Sequence, residues 1–142
     1  MRASSFTIVF ALLVAFGGTT QAADALKKNA ISPERAGRFF ASICFDLYPD
    51  LAAAQKQAQR KGFRFDADSG LFVNANKDQQ MRITSKRCAL RFLTDVKHPE
   101  LLKRFGDAAS NSRTNSPVNP SVRLGTEDAG NGLTRVGARL DL

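Results

Sequence analysis

Residues 81–92 read MRITSKRCALRF, a stretch in which apolar side chains alternate with polar or small ones. The alternation holds over residues 81–83 and again over residues 88–92, but the apolar parity flips between the two runs. One regular strand cannot keep both sets on the same face of a sheet. The stretch therefore predicts two antiparallel strands joined by a turn or bulge at residues 85–87.

A second hairpin is predicted immediately upstream. Phe63 and Phe65 alternate with Arg64, residues 66–70 read DADSG, and apolar residues resume at Leu71. Apolar residues at every second position are typical of a strand, and an Asp, Ser and Gly cluster is typical of a turn. We expect this hairpin to lie in the same sheet.

Two amphipathic helices precede these strands. The first is predicted from Ser32, which can cap it, and from apolar residues at positions 36, 39, 40 and 43, one face of a helix. The second follows a break at residues 46–49, with Asp50 as its cap and Gly62 as its stop. Cys44 lies four residues after Phe40 and so shares the apolar face of the first helix.

The chain has two cysteines, Cys44 and Cys88, and we predict that they form a disulfide. Closing a loop of about 44 residues lowers the entropy of the unfolded chain by an amount worth about 4 kcal/mol. A redox-active pair is the alternative, but the Cys-x-x-Cys spacing is absent.

The N-terminus has the order of a secretory signal peptide. Arg2 is followed by a mostly apolar stretch over residues 6–16 and by small residues up to Ala22. We predict cleavage after Ala22, with the bond after Ala23 as the alternative, and a periplasmic or secreted mature protein. An uncleaved anchor is disfavoured because the stretch is shorter than the roughly 20 residues that span a bilayer.

The order of these segments predicts one domain of the α+β class. Residues 1–22 are the signal peptide, 23–31 a mobile lead-in, 32–107 the domain and 108–142 a flexible tail with a possible weak hairpin. Two N-terminal helices pack on a small antiparallel sheet with one disulfide, and a short helix ending near Gly106 closes the domain. The tail is assigned as flexible because residues 108–120 resemble a linker and the chain beyond residue 105 has no aromatic residue.

No catalytic, cofactor or metal motif is evident. Asp66, Asp68 and Gly70 suggest a calcium loop, but the remaining positions of that loop do not match, so a turn is favoured. His98 is the one histidine, and its position before Pro99 favours a surface or capping role. We therefore predict no catalytic residue, no metal and no cofactor.

Charge is the one functional indication. The chain has a formal charge of +8, and residues 56–91 hold nine basic and three acidic residues. If Phe63, Phe65 and the other alternating apolar residues face the helices, arginines emerge on the opposite face of the sheet. The predicted anion-binding residues are Arg64, Arg82, Lys86, Arg87 and Arg91. A solvated outer face without a ligand is the alternative.

The order Phe39-x4-Cys44, Tyr48-Pro49-Asp50, Gly62-Phe63 and Cys88-x-Leu90-x-Phe92 resembles small exported proteobacterial proteins of unknown activity. The resemblance covers residues 35–93. It implies a helix-then-sheet module with one disulfide, and it implies no function.

The sequence thus favours a non-enzymatic exported binding or interaction protein of the cell envelope, with an unknown envelope or extracellular partner. Binding of a polyanion or an anionic membrane through the basic sheet face is a second hypothesis. A hydrolase whose site is assembled only in three dimensions is a third. The composition, with 43% hydrophobic and 24% charged residues, is ordinary for a globular chain and does not indicate global disorder.

Overall fold

A computed structural model describes residues 27–74, 78–112 and 121–141. The predicted signal peptide, the start of the lead-in and most of the predicted linker lie outside these residues. The described chain contains three helices of eight or more residues: α1 (Pro33–Phe40), α2 (Leu51–Arg60) and α3 (Glu100–Asn111). None of the helices in this part of the chain is long and apolar enough to cross a membrane.

The helices begin where capping residues predict. The Ser32 hydroxyl accepts a hydrogen bond from the Arg35 amide at 3.2 Å, and an Asp50 carboxylate oxygen accepts one from the Ala53 amide at 3.0 Å. α1 continues into a π-helical turn over Ala41–Phe45, which ends with an Asp46 amide hydrogen bond to the Ala41 carbonyl.

Six antiparallel strands form one sheet in the order β1-β2-β3-β4-β6-β5. The strands are β1 (Arg64–Asp66), β2 (Leu71–Val73), β3 (Gln80–Thr84), β4 (Arg87–Thr94), β5 (Val122–Gly130) and β6 (Leu133–Asp141). Ser85 and Lys86 form the turn between β3 and β4, at the position of the parity flip. The α+β class, with helices packed on an antiparallel sheet, is confirmed.

The core lies between the helices and one face of the sheet. Phe40 and Phe105 contribute rings from α1 and α3, and their centroids lie 5.8 Å apart. Phe92 of β4 stacks on Phe105 at the same distance. Because these rings come from three elements, the core is continuous from the helix layer to the centre of the sheet.

The predicted disulfide is confirmed. Cys44 in the π-helical turn and Cys88 in β4 are bonded, with 5.6 Å between their Cα atoms, and both are fully buried. The bond therefore links the helix layer directly to the central strand of the sheet.

The C-terminal segment was predicted as a flexible tail with a possible weak hairpin; the hairpin is present, but it is part of the sheet. α3 runs through Gly106 to Asn111, and residues 122–141 form the two longest strands of the sheet. β6 pairs with β4 over eight residues, from Arg87↔Asp141 to Thr94↔Thr134. This pairing places Val136, Ala138 and Leu140 in the hydrophobic core, where they are buried.

Two smaller expectations also differ. Ile31, assigned to the mobile lead-in, is buried, and its amide donates a hydrogen bond to the Leu93 carbonyl at 2.8 Å. Phe65 lies in register with buried Phe72 but is 56% exposed, because β1 is an edge strand of three residues. His98, predicted to have a surface or capping role, is exposed, and the N-cap of α3 is Pro99, without a side-chain hydrogen bond.

Candidate functional site

The sheet face opposite the helices forms an open groove of about 630 Å³. Side chains pointing to this face come from alternate positions of β3, β4, β6 and β5, because successive residues of a strand point to opposite sides. Six arginines line the groove: Arg82, Arg87, Arg91, Arg123, Arg135 and Arg139. None of the described lysines does so.

The strand register arranges these arginines in rows across the sheet. One row runs from Arg82 through Ala89 and Arg139 to Arg123. Arg139 and Arg123 are therefore directly opposite each other on β6 and β5, where two like charges destabilise a strand pair. An anion above this row would relieve that repulsion.

Two carboxylates neutralise part of the charge. One oxygen of Asp141 lies 2.9 Å from Nε of Arg87, and the other lies 2.8 Å from Nε of Arg139. The second contact does not have hydrogen-bond geometry, and that nitrogen, although buried, has no hydrogen-bond partner among the described residues. Glu127 accepts hydrogen bonds from Arg91 at 3.0 Å and Arg135 at 3.1 Å through a single oxygen.

These contacts shift the carboxylate pKa values. Hydrogen bonds from Arg135 and Arg91 hold the pKa of Glu127 below its ordinary value. A hydrogen bond from Arg87 does the same for the pKa of Asp141, assisted by the charge of Arg139. Both groups are therefore ionised at neutral pH, and the groove still carries a surplus of four positive charges from six arginines and two carboxylates.

Arg82 and Arg123 form no ion pair with any residue that the structure describes, and both are exposed. They lie at the two ends of the same cross-strand row, on β3 and β5. These two guanidinium groups are consequently the ones most available to an external anion.

The floor of the groove is made of small residues. Ala89 lies on β4, and Gly137 and Gly125 are directly opposite each other on β6 and β5. A Cβ atom added at either glycine would meet no heavy atom within 4 Å. Neither glycine has a positive φ, so neither backbone geometry nor packing within the described chain requires glycine there.

Of the predicted anion-binding residues, the structure brings three together in the groove: Arg82, Arg87 and Arg91. Arg64 and Lys86 are exposed but do not line it, because Arg64 belongs to the edge strand β1 and Lys86 to a turn. Sequence reasoning missed Arg123, Arg135 and Arg139, all of which lie in the segment assigned to a flexible tail. The signal that could have identified them is the alternation over residues 133–140.

The other candidate sites from the sequence, residues 66–70 and His98, are not part of a comparable cluster of charged side chains within the described chain. Asp66 accepts hydrogen bonds from the Asp68 amide and the Ser69 hydroxyl, so it stabilises the β1–β2 turn. Over the described ranges, no three His, Cys, Asp or Glu residues are grouped closely enough to hold a metal ion. His98 is exposed and lies outside the groove.

Comparisons of the chain with protein-family models, curated proteins and solved structures found no match. The resemblance over residues 35–93 to small exported proteobacterial proteins therefore stays a prediction.

Proposed function

We propose that this protein is a non-enzymatic binding protein that acts after export, in the periplasm or outside the cell, and holds an acidic ligand on its arginine-lined groove. The observation that carries the proposal is the excess of arginines in the groove, two of which, Arg82 and Arg123, have no ion pair among the described residues. Guanidinium groups bind carboxylates, sulfates and phosphates through two parallel hydrogen bonds.

Export is supported by the signal-like N-terminus and by the Cys44–Cys88 disulfide, which is compatible with an oxidising compartment. Binding is favoured over hydrolysis by the chemistry of the groove. Of the described residues that line it, none is a histidine, cysteine or serine, so the groove offers no nucleophile beside a histidine base.

The test is a salt titration of binding by the purified, disulfide-bonded protein to immobilised dextran sulfate, polygalacturonate and neutral dextran. We expect binding to the two acidic polymers alone, with an affinity that falls steeply as salt rises because counterions are released on binding. The double variant Arg82→Glu/Arg123→Glu should bind at least about tenfold more weakly and with a shallower salt dependence.

The matched control is Lys56→Glu/Lys97→Glu. Both lysines are exposed and lie outside the groove, and this variant changes the net charge by the same amount. If it weakens binding as much as the arginine variant, net charge alone governs binding and the groove is not the site. Binding that is insensitive to salt would also contradict the proposal.

A further variant, Glu127→Gln, should strengthen binding where the arginine variant weakens it. Removing this carboxylate frees Arg91 and Arg135 from their ion pairs, so dextran sulfate should bind a few-fold more tightly, on the order of two- to fivefold. An unchanged or weaker affinity would indicate that these two arginines do not contact the ligand.

A further inference from the structure

We infer that the ligand is an acidic polysaccharide, carrying carboxylate or sulfate groups, and that it lies in the groove against the floor formed by Ala89, Gly137 and Gly125. This inference rests on the proposed function and adds the class of ligand and the place where it binds. Four features of the groove support it.

The first feature is the floor itself. Glycine within a strand costs about 0.5–1 kcal/mol relative to alanine, and interior glycines occur where another molecule approaches the backbone closely. Gly125 and Gly137 face each other across two strands, and added side chains would enter open space. Because these two glycines have no side chains, a ligand has room to lie directly against the backbone.

The second feature is the course of the floor. Gly137 and Gly125 are opposite each other on β6 and β5, and Ala89 lies diagonally from Gly137 on β4, so the floor crosses these strands obliquely and reaches the sheet edge at β5. Arg139 and Arg123 border it in the neighbouring row, and Arg91 lies at the β4 position beside Gly137. A floor that is bordered by cations and reaches the sheet edge fits an extended chain better than a single small anion.

The third feature is the type of cation. All six basic residues of the groove are arginines, whose planar guanidinium matches the paired oxygens of a carboxylate or sulfate. The chain's own carboxylates already lie against these arginines, since Asp141 and Glu127 each contact two of them, and the paired geometry itself occurs elsewhere in the chain, between Arg104 and the two oxygens of Glu34.

The fourth feature is the rest of the lining. No aromatic side chain lines the groove within the described chain, so the aromatic rings on which single-stranded nucleic acids usually stack their bases are missing there. Among the described residues, the exposed large apolar side chains are Phe65, which lies outside the groove, and Leu124, which lies opposite inward-facing Ala138 and so points to the other face of the sheet. In the part of the chain that the structure describes, the groove therefore offers no large exposed apolar side chain to acyl chains. Gln80, opposite Arg91, adds a neutral polar group suited to sugar hydroxyls.

The experiment compares two groove variants against four probes at one salt concentration. The probes are dextran sulfate, polygalacturonate, random-sequence duplex DNA and phosphatidylglycerol vesicles. Dextran sulfate or polygalacturonate should bind at least about tenfold more tightly than DNA and vesicles, and the difference between the two polymers distinguishes sulfate from carboxylate recognition. Tighter binding of DNA or vesicles would overturn the assigned ligand class while leaving the proposed anion binding intact.

The first variant, Gly125→Val/Gly137→Val, fills the floor and leaves every charge in place. We expect at least about tenfold weaker polysaccharide binding with no fall in melting temperature, because valine favours strands and its Cβ meets open space. Gly106→Ala, which adds a methyl group at another open position on α3, is the control and should bind normally. If the double variant unfolds, Gly125→Val on the edge strand alone provides the same test.

The second variant, Arg82→Lys/Arg123→Lys, keeps the charge and removes the paired donors. It should retain the salt dependence of the original protein but bind about tenfold more weakly, a loss equivalent to about 1.4 kcal/mol. Unchanged affinity in either groove variant would overturn the inference. The proposed function is tested by the salt titration and the charge-reversed variant, which do not depend on these two variants, so the two failures are distinguishable.

Discussion

The two faces of the sheet are built from the same strands and differ in nearly every physical property. On the inner face, Cys88, Leu90 and Phe92 of β4 are buried against the helices. On the outer face, Arg87, Ala89 and Arg91 of the same strand line an open groove. Alternate residues of one strand therefore build the core on one side and, in our proposal, the ligand-binding surface on the other.

We therefore expect the two faces to tolerate amino-acid substitution differently. Inner-face substitutions should alter the free energy of unfolding with little direct effect on binding. Outer-face substitutions should alter binding with little effect on stability. The following experiments test this separation, from the largest expected effect on stability to the smallest.

Removing the disulfide should have the largest effect on the free energy of unfolding. Cys44→Ala/Cys88→Ala releases the link between the π-helical turn and β4, and the 44-residue separation predicts a loss of about 4 kcal/mol in the free energy of unfolding. Urea denaturation of the variant and of the oxidised protein measures the difference. A loss below about 1 kcal/mol would show that the helix layer is held by packing alone.

Shortening a buried side chain of the C-terminal hairpin should have the next largest effect on the free energy of unfolding. Leu140 is buried on the inner face of β6, so Leu140→Ala should cost about 2–4 kcal/mol. Leu124→Ala is the matched control, because Leu124 lies on the edge strand β5 and is 37% exposed; we expect a loss below about 1 kcal/mol. Equal and small losses in denaturation curves would mean that the hairpin does not belong to the cooperative core.

Two glycines provide a direct comparison between a packed and an open position. A Cβ at Gly37 of α1 would lie 2.7 Å from the Phe105 carbonyl oxygen and 3.0 Å from the Ala109 amide nitrogen of α3. Gly37→Ala should therefore destabilise the protein by about 1–2 kcal/mol, because overpacking outweighs the better helix propensity of alanine.

Gly137→Ala should instead leave the stability unchanged or raise it by about 0.5–1 kcal/mol. Thermal unfolding of both variants measures the contrast. Destabilisation by Gly137→Ala would contradict the inference that glycine at this position leaves space for a ligand.

The smallest expected effect on stability is a pH dependence. Hydrogen bonds from Arg104 of α3 lower the pKa of Glu34 in α1 to about 2 from the ordinary 4.5. Since the pKa is lowered on folding, the interaction stabilises the protein above pH 4.5 and is lost as the pH falls towards 2. The free energy of unfolding should therefore fall more steeply between these values in the original protein than in Glu34→Gln.

Because both partners lie at the surface, this difference should be small. Denaturant titrations at a series of pH values measure it. Identical pH profiles for the two proteins would show that the ion pair does not contribute to stability.

Local signals in the sequence are sufficient for the first two helices, the first two hairpins and the disulfide. Ser32 and Asp50 are capping residues whose partners lie three residues away, and the parity flip after Ile83 locates a turn within four residues. These elements depend on interactions close in the chain, so residue type and spacing contain most of the information.

Local signals did not show how far the domain extends towards the C-terminus. β6 is short of large apolar residues, and its stability comes from pairing with β4, whose residues lie 40 to 54 positions earlier in the chain than their partners. Composition and periodicity report on the strand itself and do not report on a distant partner. For the same reason, three of the six groove arginines were missed, and Phe65 was expected to be covered by the helices but is exposed on the edge strand.

The sequence by itself therefore determined the class of the fold, its disulfide and the basic character of one sheet face. Only the tertiary structure decided that β6 and β5 complete the sheet and place Arg123, Arg135 and Arg139 beside Arg82, Arg87 and Arg91. It also placed Gly125 opposite Gly137 at the floor of that groove. The physical reason is that a groove is made by the register of strands distant in sequence, whereas alternation is a property of each strand alone.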